Sequence, residues 1–197
     1  MRVGIVSDLH CNLHGLDTAL SVMGAIDELL CLGDSIYQYR FSNDVVARLR
    51  EREAHVILGN HEETFFAPHG SRARAHDWID RDLMAWLEAK PHRTDLAFGA
   101  KRLQLIHSTP WEPRGDYIFP DNPKLAGFGD TDADFVLYGH THHKLARRIG
   151  RALVINPGST GEGRDLRNGR QLSCAVLDTV SEEVTFHDFP DLPVGAA

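Results

Sequence analysis

Apolar positions in the first third of the chain gather into short β-branched runs, and each run stops at a polar residue. Val3-Gly4-Ile5-Val6 stops at Ser7-Asp8, Leu29-Leu30-Cys31-Leu32 at Gly33-Asp34, and Val56-Ile57-Leu58 at Gly59-Asn60-His61. Short apolar runs bounded by turn residues predict buried strands over residues 2–6, 28–32 and 55–58. Between them the apolar period lengthens. Leu13, Leu16, Leu20 and Met23 repeat at helical spacing behind Asn12, a predicted cap, and Val45, Val46 and Leu49 form the apolar face of a second helix over 44–52. Strands alternating with helices in this way predict a parallel sheet with helices packed on it.

The middle of the chain reads differently. Residues 71–89 predict a helical segment with Trp78, Leu83, Trp86 and Leu87 turned inward and Arg72, Arg74 and His76 on a solvated face. A strand over 103–106 runs into His107, residues 108–130 are rich in Pro, Gly and Asp and predict a long loop, and a strand over 135–138 runs into Gly139-His140. Strands over 152–155, 171–177 and 184–186 complete the pattern. No repeat or linker interrupts it, so the 197 residues are expected to form one domain, residues 1–197, of the α/β class.

Five predicted strands therefore lead into Asp8 and His10, Asp34, Asn60 and His61, His107, and His140 and His142. Taken singly, such residues are mostly turn formers, helix caps or surface histidines. Their joint placement at strand ends is not what independent turns produce, because ligands of open α/β sheets bind beyond the carboxyl ends of the strands. Carboxylate, imidazole and amide oxygen suit manganese, iron, nickel, zinc or magnesium rather than an iron–sulfur cluster. His143 follows His142 directly, so its side chain is expected to point elsewhere.

Composition narrows the picture. The formal net charge of -7 argues against a protein that coats nucleic acid, although bound divalent ions would reverse the potential locally. Cys11, Cys31 and Cys174 show no paired spacing and predict free thiols in a reducing compartment. The N-terminus runs straight into a strand and no apolar run reaches membrane length, so a cytoplasmic protein without membrane contact is expected.

The ordered set Asp8-x-His10, Gly33-Asp34, Gly59-Asn60-His61-Glu62, His107 and Gly139-His140-x-His142 resembles the full signature of the calcineurin-like metallophosphoesterases. The likeness covers about residues 3–160. The Asn156-Pro157-Gly158-Ser159 run makes it similar to the small bacterial and archaeal phosphodiesterase branch. The resemblance implies a four-layer α/β/β/α sandwich and two divalent metal ions per chain, manganese favoured. One would be held by Asp8, His10, Asp34 and His142, the other by Asp34, Asn60, His107 and His140, with Asp34 bridging. It also implies hydrolysis of phosphodiester or nucleotide phosphate bonds by metal-activated water, with His61 contacting the phosphate and protonating the leaving oxygen. Small relatives of this kind leave a homodimer open.

Two positions depart from the family pattern. Many members carry a second Asp three residues after the bridging one, which orients the catalytic His; here Tyr37 stands there. That counts against protein-phosphatase activity. Cys11 replaces a small residue and reads as packing. Arg114 and Tyr117, with Phe119, lie in the long loop and are candidates to bind phosphate and stack a base. Two other readings remain: a dinucleoside polyphosphate hydrolase or phosphomonoesterase on the same site, and a non-catalytic metal-binding scaffold. All eight site residues are present, and a scaffold has no need of them.

Overall fold

A computed structural model describes residues 1–112 and 115–191. In chain order the strands are Arg2–Val6 (β1), Glu28–Cys31 (β2), His55–Val56 (β3), Arg93–Phe98 (β4), Lys101–Ile106 (β5), Phe135–Leu137 (β6), Leu145–Ile149 (β7), Ala152–Asn156 (β8), Leu172–Asp178 (β9) and Val184–Phe189 (β10). The α-helices are Leu13–Met23 (α1), Asn43–Glu51 (α2), Asn60–Phe66 (α3), Ser71–Arg74 (α4) and Arg81–Glu88 (α5). One sheet runs β10-β9-β1-β2-β3, the other β4-β5-β6-β8-β7. The three strands that end in site residues in the first sheet, β1, β2 and β3, are mutually parallel, as are β5 and β6 in the second. Within each sheet these strands deliver their carboxyl ends to one edge, and the 2.7 Å approach of His107 Nδ1 to the Leu32 carbonyl brings the two edges together.

Period-two alternation explains the layers. Val3, Ile5, Leu30, Leu32 and Ile57 face Leu103, Leu105, Phe135, Leu137 and Ile155 across the gap between the sheets. The alternate residues Val6, Leu29 and Cys31 face outward and pack under Leu16, Ala19, Met23, Val45, Leu49, Phe65, Leu83 and Leu87 from the helices. Gly4 also faces outward, where an added Cβ would lie 2.6 Å from Ile26 and 2.9 Å from Met23. Asn12 caps α1 by accepting from the Gly15 amide at 2.9 Å, as the sequence predicts. The outer face of the second sheet is covered by a 3-10 helix, Pro123–Gly129, and the chain before it, where Ile118, Leu125 and Phe128 pack on Val136, Tyr138 and Val154. The expected four-layer sandwich is present, and its second helical layer is thin.

Several local expectations are corrected. Residues 71–89 divide into α4 and α5, with Asp80 capping α5, and Trp78 in the intervening turn is 53 % exposed rather than turned inward. Arg74 is not on a solvated face. It donates to the carbonyls of Phe65 and Ala67 and closes the end of α3. The expected loop at 108–130 contains the 3-10 helix, and α3 begins at the site residue Asn60 itself. β4 and β7 have no counterpart in the apolar pattern because neither carries a continuous buried run. Arg147 and Arg148 of β7 are exposed, and charged side chains on an edge discourage pairing with other chains. Among the described residues, no helix is long and apolar enough to cross a membrane.

Phe128 tests whether the thin layer belongs to the core. It is fully buried against Tyr138 at a ring separation of 4.8 Å. Phe128→Ala should lower unfolding stability by about 3–5 kcal/mol in a denaturant titration. A change under about 1 kcal/mol would mean that this segment is a surface loop.

Candidate metal centre

The residues after β1, β2 and β6 leave their strands by an abrupt turn. Asp8, His10, Asp34, His140 and His142 all adopt positive φ, between 47° and 65°. Left-handed backbone is costly for residues with a Cβ, and such strain collects at functional sites. Hydrogen bonds between the turns hold it. The Asp8 amide donates to the Gly33 carbonyl at 3.0 Å, the His10 amide to the Asp34 carbonyl at 3.0 Å, and the Gly139 amide to the His107 carbonyl at 3.0 Å. Asn156 at the end of β8 donates to the Gly139 carbonyl at 2.8 Å and to the Thr141 hydroxyl at 3.1 Å, steadying the segment that carries both late histidines. Gly59 is required by contact. A Cβ there would lie 2.2 Å from Asp34 Oδ1.

Glu62 organises the second turn from within. It is completely buried, and its carboxylate accepts from the amides of Asp34 (2.9 Å), Ser35 (2.7 Å), Ile36 (3.2 Å) and Gly59 (2.8 Å) and from the Ser35 hydroxyl (2.6 Å). Burial and the charge of Asp34 push its carboxyl upward, while Ser35 and Gly59 oppose this. All five partners are donors, the arrangement of an ionised carboxylate. One side chain thus joins the Asp34 turn to the start of α3, which carries Asn60 and His61.

The expected site residues converge. Asp8 Oδ1 lies 3.3 Å from His142 Nε2, which lies 3.2 Å from His10 Nε2. Asp34 Oδ2 lies 3.3 Å from His107 Nε2, which lies 3.1 Å from Asn60 Oδ1. Asp34 shares one cluster of possible ligand atoms with His107 and His140, and another with His10 and His61; Asp8, His10 and His142 form a third. His61 donates its amide to Asp34 Oδ1 at 2.8 Å, and its Nε2 lies 3.8 Å from Asp34 Oδ2. Its Nδ1 is buried without a hydrogen-bond partner.

The donor chemistry fits divalent ions. His107 Nδ1 lies 2.7 Å from the Leu32 carbonyl and His142 Nδ1 lies 2.9 Å from the Glu162 carbonyl. When each Nδ1 donates there, the Nε2 lone pair faces the centre, the usual tautomer of a metal-binding imidazole. Asp8 Oδ1 and His10 Nδ1 are buried and lack hydrogen-bond partners. The field of the site favours cations. Burial opposes a proton on His107, yet the charge and hydrogen bond of Asp34 push its pKa up to about 10. Burial likewise works against ionised Asp8, but His142, His107 and His10 hold it well below the usual carboxylate range. Burial dominates at His10 and at His140 and takes each down to about 4, so both rings are neutral donors near pH 7.

The sequence profile of the calcineurin-like phosphoesterase superfamily domain matches residues 1–182. The chain belongs to that superfamily. An uncharacterized protein of Methanocaldococcus jannaschii is 24 % identical over 194 residues, covering 83 % of this chain and 77 % of the relative. A metallophosphoesterase from Sphaerobacter thermophilus superposes with a TM-score of 0.77 at 25 % identity, over 96 % of this chain and 88 % of that one. A novel archaeal phosphodiesterase superposes with a TM-score of 0.62 at 20 % identity, over 96 % of this chain and 100 % of that one. The family is metal-dependent and hydrolyses phosphoesters, and the clustered Asp and His residues of this chain suit that chemistry.

Further residues stand around the superfamily motif. Tyr117 stacks on His140 with ring centroids 3.8 Å apart and continues to Phe119 at 6.2 Å. Arg114 lies outside the described residues. Tyr37 stacks on His10 at 4.7 Å, and its hydroxyl donates to Glu162 Oε2 at 3.3 Å. His143 turns away, as expected, with Nδ1 2.6 Å from the Thr141 carbonyl and its ring against Phe119. Cys11 is half-buried, its thiol against the Arg40 carbonyl at 3.2 Å. Sequence reasoning placed Glu62 and Asn156 only as parts of motifs, without a role, and missed Glu162 and Arg164. Only Glu62 carried a usable signal for its role, the spacing of three at which a Glu reaches back to the N-cap amide, here that of Gly59.

Glu62→Ala should leave four buried amides without their acceptor and cost roughly 3–5 kcal/mol. Zinc affinity should fall with it, because the turn holding Asp34 loses its tie to α3. Chemical denaturation together with a zinc titration reads both. Unchanged zinc affinity at reduced stability would separate Glu62 from the centre.

Proposed function

We propose that this phosphoesterase is a dinuclear metal-dependent hydrolase that favours phosphodiester or nucleotide phosphate bonds. The observation that carries the dinuclear reading is the position of Asp34, whose carboxylate belongs to two donor clusters at once. Asp8, His10, Asp34 and His142 would hold one ion, and Asp34, Asn60, His107 and His140 the other. Manganese is the first choice, and iron, nickel, zinc or magnesium are also compatible with this ligand set. Bound ions would supply charge neutralisation at the phosphate and an acidified water.

The remaining work falls to the chain's own groups. The left-handed turns pre-set the donors, so little reorganisation accompanies binding. His61 stands beside Asp34 with its side chain 15 % exposed, accessible to a substrate and outside the proposed ligand sets. Its role is to contact the phosphate and pass a proton to the leaving oxygen. His61→Ala should retain both metals and lower kcat by roughly 10²–10⁴. The loss should shrink for substrates with good leaving groups; an equal loss across leaving groups would assign His61 to binding alone.

The lean toward diesters rests on what backs His61. Tyr37 takes the place of the orienting Asp, its ring centroid lies 5.5 Å from that of His61, and its hydroxyl is directed to Glu162. Among the described residues no carboxylate partners His61 Nδ1, so a developing imidazolium gains no stabilisation on that side. Esters with poor leaving groups depend most on that proton. The stacked Tyr117 and Phe119 rings favour a nucleotide among the candidate diesters. With one manganese-loaded preparation, kcat/KM for an aryl or nucleotide diester should exceed that for a phosphoserine peptide by at least roughly tenfold, about 1.4 kcal/mol. Equal or reversed values would move the protein to the monoesterase reading.

A further inference from the structure

A guanidinium is suspended at the mouth of the centre by a carboxylate from its own loop. Arg164 donates through Nε to Glu162 Oε1 at 3.1 Å and through Nη2 to Oε2 at 2.9 Å. Glu162 is itself anchored to the centre. Its amide donates to the Ser159 hydroxyl at 2.8 Å, and its carbonyl receives His142 Nδ1 at 2.9 Å. Its carboxylate accepts from the Tyr37 hydroxyl at 3.3 Å, and Oε2 lies 3.8 Å from His10 Nε2. The arm that carries Arg164 is therefore built on three residues of the site, not on a free surface loop.

Among the described residues, the other arginine near the centre is committed differently. Arg40 donates to the His10 carbonyl at 3.1 Å and lies 4.7 Å over the Tyr37 ring, so it braces the frame. Arg164 is 45 % exposed, and its ion pair with Glu162 is 35 % exposed on the acidic side. A pair so wet contributes little to folding. Burial works against the guanidinium's charge, while Glu162 and, more weakly, the Asp8 carboxylate support it. A guanidinium fork fits phosphate as well as it fits carboxylate.

We propose that Arg164 is the substrate-anion clamp of this site, held on Glu162 in the free protein and transferred to the phosphate oxygens of a bound ester. The ligand class is an anionic phosphoester, and the inference rests on the phosphoester reading above. On transfer Glu162 keeps the Tyr37 hydroxyl, so neither carboxylate nor tyrosine is left bare. Glu162 then acts as a gate. Ligands without an anionic group have nothing to displace it with, and phosphate groups do.

The test uses the full chain loaded with manganese. Calorimetric titration with inorganic phosphate should show Arg164→Ala weakening binding by roughly tenfold or more, with metal content per chain unchanged. KM for a diester should rise by a similar factor while kcat stays within about threefold. Arg164→Lys keeps the charge without the fork and should fall between. Added guanidinium chloride, below denaturing concentration, should restore part of the phosphate affinity of Arg164→Ala and leave the parent chain unaffected. Glu162→Gln should release the clamp and tighten phosphate. Unchanged phosphate affinity in Arg164→Ala, or loss of metal in Glu162→Gln, would overturn the proposal, the latter by making Glu162 a ligand. A parent chain that binds phosphate through Arg164 but hydrolyses no ester would sustain the clamp and sink the enzymatic reading instead.

Discussion

Two carboxylates, Asp8 and Asp34, are withdrawn almost completely from water and set among imidazoles, and the rest of the structure follows from keeping them there. Burying a charge is costly unless opposite charge answers it. Here the answer is His107 and His142 in the protein alone, with metal ions as the natural completion. The backbone bears part of the strain, since five of the residues concerned sit at positive φ. Glu62 bears another part, by gathering the donors of two turns onto one buried carboxylate. The sheets contribute direction. Because β1, β2, β3, β5 and β6 run the same way within their sheets, their ends meet along one edge, and residues 132 positions apart in sequence touch.

The parts of this arrangement that were legible in the sequence are those written in apolar runs and polar stops. Strands buried on both faces read as continuous β-branched segments, and the residues after them stood out against that background. The edge strands β4 and β7 were invisible for the same reason in reverse. β4 alternates exposed and half-buried positions, and β7 is exposed at three successive residues, with arginines where a buried strand would carry valine. Trp78 misled because an aromatic at helical spacing implies a core that the turn before α5 does not provide. Glu162 and Arg164 had no periodicity to betray them. Their importance comes from a backbone carbonyl that happens to receive His142, a fact of three-dimensional packing.

Tyr37 shows how the departures from the family pattern belong together. A carboxylate at that position would stand behind His61. The tyrosine instead lays its ring on His10 and sends its hydroxyl outward to Glu162. A carboxylate is thus present near the centre after all, but it comes from a different loop and lies on the His10 side, 3.8 Å from Nε2 of that ring. From there it cannot orient His61. It can hold Arg164. In this chain that carboxylate is paired with the Arg164 guanidinium. With His61 as the proposed proton donor and Arg164 as the proposed clamp, such a site would be weak where a leaving group needs a proton and strong where a phosphate needs a counter-charge. That balance would suit esters and anhydrides whose leaving groups depart unaided.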